Sequence, residues 1–136
     1  MKRVFVDSGG FFGLLAPEDQ FHAHACTLFL RANSERWHLV TTNAVVIETH
    51  ALLVARSRGG RRNALGFLDI MASDAYHVER IRKADEERAI ALVRGHADKD
   101  YSLCDALSFV VMERLHIAEA IAFDRHFRAY GRFTIL

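Results

Sequence analysis

The chain has 136 residues, 51% hydrophobic and 26% charged, with 18 Lys and Arg against 17 Asp and Glu and a formal net charge of +1. That length fits one domain, residues 1–136, with enough apolar content for a sizeable core. The charge balance excludes a globally basic nucleic-acid binder, and no uncharged apolar run reaches the roughly 18 residues of a membrane span.

The first apolar stretch, inside Met1-Lys2-Arg3-Val4-Phe5-Val6-Asp7, is too short for a signal peptide and reads as a first strand over 2–6. A cytoplasmic protein with no membrane association is the expectation. Gly9-Gly10 is expected to make a tight turn after it. A helix is predicted over 21–32, where Ala25, Leu28, Phe29 and Ala32 recur at helical spacing. Strand two is predicted over 37–41, with Thr42 or Asn43 as the N-cap of a helix that runs towards Gly59-Gly60. A further helix over 62–71, a weaker strand over 76–81 and a helix over 84–96 follow. Ser102 and Asp105 have the S-x-x-D spacing of a capping box, opening a helix to Leu115. A strand over 120–123, a short helix over 125–130 and a last strand over 133–136 complete the chain. Strands alternating with helices predict an α/β fold, a three-layer α/β/α sandwich around a mostly parallel sheet.

In such a sheet the strand ends and the following helix starts share one rim, where ligands bind. Asp7 and Asp124 are placed at strand ends, Glu48 and Asp105 in the first turns of helices. Four carboxylates on one rim repel each other unless a cation lies between them, and hard divalent cations take oxygen ligands. Each acid also has a plain alternative: Asp7 and Asp124 as helix caps, Asp105 as the capping-box acid, Glu48 as a solvated charge. Asp100 and Ser8 are further candidates for the same rim. Arg56, Arg58, Arg61 and Arg62, and separately Arg125, Arg128 and Arg132, either solvate helix faces or hold a polyanion by its phosphates. His22 and His24 stand two apart, which on a helix points them away from each other and argues against zinc. His126, beside Asp124, either contacts phosphate or, as expected, packs against Phe127; the aromatics are expected to be core, and Cys26 and Cys104 buried thiols.

Four segments in order carry a family resemblance: Asp7 after its apolar strand, Thr42-Asn43-Ala44-Val45-Val46-Ile47-Glu48-Thr49, Ser102-Leu103-Cys104-Asp105-Ala106-Leu107-Ser108-Phe109, and Ala122-Phe123-Asp124-Arg125-His126-Phe127. Together they resemble a PIN domain, most of all the toxin nucleases of the VapC type, over nearly the whole chain. The resemblance implies an Mg²⁺- or Mn²⁺-dependent endoribonuclease. Asp7, Glu48, Asp105 and Asp124 would be its catalytic acids, and Asp7, Asp105 and Asp124 its metal ligands. It also implies an RNA substrate, a homodimer and a small antitoxin partner. Where relatives often carry threonine before the third acid, this chain has Cys104, which leaves the ligand in place and removes a hydroxyl. Two other functions compete on the residues. A phosphatase with Asp7 as nucleophile would need a second acid two residues on, where Gly9 stands. A catalytically silent RNA-binding or regulatory module on the same fold would not need the four acids intact.

Overall fold

In a computed structural model describing residues 1–136, five strands form one sheet in the order β3-β2-β1-β4-β5, every neighbouring pair parallel. The strands are β1 (Arg3–Val6), β2 (His38–Thr42), β3 (Tyr76–Glu79), β4 (Glu119–Ile121) and β5 (Thr134–Ile135). The helices are α1 (Ser8–Leu15), α2 (His22–Ser34), α3 (Asn43–Arg56), α4 (Arg61–Ala72), α5 (Lys83–Gly95), α6 (Leu103–Arg114) and α7 (Arg125–Tyr130). β1 lies in the middle, and its Val4, Phe5 and Val6 are wholly buried, as a strand covered on both faces requires. Right-handed crossovers carry α1–α4 over one face and α5–α7 over the other, giving the α/β/α sandwich. The main core of 21 buried residues runs through the sheet, with Phe5, Phe11, Phe67, Phe109 and Phe127 among its largest side chains.

Several local expectations change in the structure. Gly9-Gly10 is not a turn; both residues lie in the first turn of α1. A Cβ on Gly10 would stand 2.8 Å from the Ile121 carbonyl oxygen, so glycine there lets the helix lie directly on β4. Helix α3 stops at Arg56, capped by Ser57, and Gly60 instead precedes α4 with a positive φ of 49°. Strand β4 stops at Ile121, three residues before Asp124. The sheet is parallel throughout rather than mostly so. Cys26 and Cys104 are free and half-buried, Cys104 packing against the edge of the main core.

Other local readings hold. Thr42 is the N-cap of α3, its hydroxyl accepting from the Val45 amide at 3.1 Å, while Asn43 Oδ1 accepts from the Ile81 amide at 2.9 Å. The Ser102–Asp105 capping box forms reciprocally, at 3.0 and 3.1 Å. On the far side of the sheet, Arg114 donates to both oxygens of Asp85 at 2.9 Å and to Glu79 at 2.7 Å, tying α6 to α5 and β3. No helix is long and apolar enough to cross a membrane.

Candidate active site

The chain leaves β1 towards β2 on one side and reaches β4 on the other, so the strand order reverses beside β1. The crevice at the C-terminal ends of β1 and β4 is therefore the topological switch point of the sheet. Asp7 follows β1 there, and Asp124 follows β4. A cavity of about 310 Å³ opens between them, lined also by Ser8, Gly9, Phe12, Asp19, Phe21, Leu52, Arg56 and Phe123.

Asp7 is the N-terminal neighbour of α1, yet its side chain makes no cap hydrogen bond. It is 2% exposed. Burial pushes its carboxyl up to about 8, and repulsion from Asp105, Glu48 and Asp124 adds to that against a backbone hydrogen bond at Ser8. Glu48 projects from the second turn of α3, where Ser8 Oγ donates to its Oε1 at 2.5 Å. Asp105 is 5% exposed in the first turn of α6, and α6 touches α3. Asp124 caps α7, accepting from the His126 amide at 2.8 Å.

His126 is the residue that sequence reasoning missed. Its Nδ1 lies 2.8 Å from Asp105 Oδ2 and 3.2 Å from Asp124 Oδ1, bridging two carboxylates from different helices. Its ring stands edge-on to Tyr101 rather than filling the core beside Phe127. Asp105, Asp124 and His126 each offer a ligand atom within 4.8 Å of the others. The spacing from Asp124 accounts for the His126 amide bond to that acid, whereas the ring's place between two carboxylates is a matter of tertiary structure.

Ser8 joins the cluster through Glu48. Asp100 does not; its carboxylate is largely exposed and meets only Arg125, at 3.9 Å. Cys104 stands among the acids. Burial pushes its thiol well above the ordinary thiol range, reinforced by the nearby Glu48 and Asp7 carboxylates. Of the arginines, Arg56 lines the cavity, whereas Arg132 pairs with Glu113 at 3.1 Å outside it. The donor set at the rim is mostly carboxylate oxygen with one imidazole, which suits Mg²⁺ or Mn²⁺ better than a soft metal.

The PIN domain family model matches residues 4–132. The 23S rRNA-specific endonuclease VapC20 of Mycobacterium tuberculosis is 34% identical over 128 residues, 94% of either chain. The crystal structure of VapC20, described there as a sarcin-ricin loop cleaving toxin, superposes with a TM-score of 0.88 at 32% identity, covering 97% of this chain and 98% of that one. The VapBC2 structure from Rickettsia felis, bound to a DNA fragment from its promoter, has a TM-score of 0.68 at 10% identity and shares the fold alone. With a family match across nearly all of its length and a relative aligned end to end, the chain belongs to the PIN-domain family and most resembles its VapC-type toxins.

Proposed function

We propose that this chain is an endoribonuclease dependent on Mg²⁺ or Mn²⁺, with Asp7, Glu48, Asp105 and Asp124 as its active site and Asp7, Asp105 and Asp124 holding the metal. The observation that carries the reading is Asp7. A carboxyl 2% exposed, making no cap bond and facing three other acids, is costly to the fold unless a cation is its partner. VapC20 is named for cutting 23S rRNA, and that RNA is the first substrate to try.

Bound at the rim, the cation would supply Lewis-acid stabilisation of phosphate charge and a water of lowered pKa. The chain's own groups do the positioning. Asp105 Oδ2 is held by the Ser102 amide and by His126, which fixes the orientation of a carboxylate that would hold the metal. Asp124 is fixed through one oxygen by the start of α7 in the same way. Glu48 is steadied by Ser8 and accepts the proton of the attacking water as one P–O bond of the backbone breaks. Arg56 draws the substrate's phosphates towards an otherwise acidic crevice.

An antitoxin partner, a homodimer and a cytoplasmic setting belong to the same proposal, following the VapC likeness. The test is cleavage of 23S rRNA by purified protein in Mg²⁺, in EDTA and as Asp105→Asn. Cleavage should fall at least about 100-fold in both controls. Undiminished cleavage in excess EDTA would sink the reading.

A further inference from the structure

Two aromatic rings stand at the mouth of the acidic crevice. Phe21 and Phe123 stack with centroids 4.7 Å apart and planes 11° from parallel. Both line the cavity that Asp7 and Asp124 share. Phe123 immediately precedes Asp124 in the chain, so its ring is tied to that acid. Phe21 precedes α2, and its amide donates to Asp19 Oδ2 at 3.0 Å, which fixes its approach. The ring remains 37% exposed although it rests on Phe123. Arg56 is the single basic residue lining the same cavity, so a cation, a stacked ring pair and the acids border one opening.

Single-stranded nucleic acid is bound by that combination: aromatic faces for the bases and a cation for the backbone. Resting on the nuclease reading above, we propose that the Phe21–Phe123 pair is a nucleobase platform. An unpaired base of the RNA stacks on Phe21 while Arg56 holds a flanking phosphate, and this seats the chain of the RNA across the acids. A duplex cannot offer a base face to the ring, so the platform selects unstacked nucleotides in loops or single strands. Stacking is tolerant of base identity; the platform sets which conformation is cut rather than which letter.

The test uses the full chain carrying Asp7→Asn, so that RNA is held uncut, in Mg²⁺. Two labelled probes are compared: a single-stranded RNA of about 12 nucleotides and a ribose-phosphate oligomer of that length without bases. Phe21→Leu, which keeps an apolar side chain and removes the ring, should weaken the RNA about 5- to 150-fold and change the baseless oligomer less than about twofold. Phe21→Trp should bind RNA like the parent, and its indole fluorescence should fall with RNA and not with the baseless oligomer. Arg56→Gln should weaken both probes alike and lower the salt slope by about 0.7. If Phe21→Leu binds RNA as the parent does, or weakens both probes equally, the platform is wrong. Cleavage by the Asp7-intact protein that is indifferent to Phe21→Leu also overturns it and leaves the nuclease reading standing. Absence of any cleavage by that protein removes the nuclease reading, while the two-probe comparison still decides the platform.

Discussion

The carboxyl of Asp7 is held neutral over a range in which an exposed aspartate would be charged, and that has a measurable sign. With the folded-state value raised from 3.8 to about 8, the folded chain keeps a proton between those limits that the unfolded chain has released. Metal-free stability therefore falls as pH rises from about 4 to 8 and levels off above. Thermal melts in EDTA should show wild type losing Tm between pH 5 and 8, and Asp7→Asn losing less. At pH 7.5 without metal the Asn variant should melt roughly 3–6 °C higher, an effect of about 1 kcal/mol or more at this chain length. The same variant should have lost cleavage, a separation that a merely structural aspartate would not give. For His126 the expectation concerns binding. His126→Ala removes the donor shared by Asp105 and Asp124, and Mn²⁺ affinity by calorimetry should drop about 10- to 100-fold. Of these residues the sequence revealed the acids, because each lies next to an apolar strand or a capping signal. It did not reveal His126, because an imidazole's role depends on which two side chains meet at its ring nitrogen, a matter of tertiary placement. Phe21 and Phe123 were hidden for the same reason: aromatic residues read as core until their neighbours are known.

At the scale of elements, the periodicity of apolar residues located all seven helices except the first. Helix α1 was obscured by Gly9-Gly10, whose usual meaning is a turn. The glycine at position 10 has a different cause, the approach of α1 to β4, and no local pattern encodes a contact between segments over a hundred residues apart. Gly10→Ala tests this. Its new methyl meets backbone at 2.8 Å, which cannot rotate away, so α1 must shift. A loss of about 1–3 kcal/mol is expected in denaturant melts, as for other overpacked sites. Cleavage should fall as well, because Asp7 and Ser8 ride on the start of the same helix. Gly66→Ala is the matched control: nothing lies within 4 Å of its Cβ, and on helix propensity it should stabilise by about 1 kcal/mol. Strand ends were legible only to within a few residues. Ala122 and Phe123 look like strand by composition, yet β4 has released its pairing by then, which gives Asp124 the freedom to cap α7.

For the molecule as a whole, fold class and strand–helix alternation could be read directly, since each strand is an apolar run bounded by turn or cap residues. The strand order could not, and it is the order that brings Asp7 and Asp124 together across β1 and β4. A divalent cation that binds the folded chain alone should raise its stability by about 2.7 kcal/mol at a hundred times its Kd. Differential scanning calorimetry with Mg²⁺ or Mn²⁺ should show that rise in wild type and a much smaller one in a Asp7→Asn/Asp124→Asn double variant. The wholly parallel sheet has one more effect on this rim. Because every strand runs the same way, α1, α3 and α7 begin at the edge where the acids lie, and α6, which follows α5, brings its own start and Asp105 to the same cluster. Each helix start presents the positive end of its macrodipole, roughly half an elementary charge for a long helix and less for the short α1 and α7. The backbone thus offsets part of the carboxylates' mutual repulsion before any ion arrives, and it keeps the crevice from repelling the phosphates of an incoming RNA as strongly as its side chains alone would.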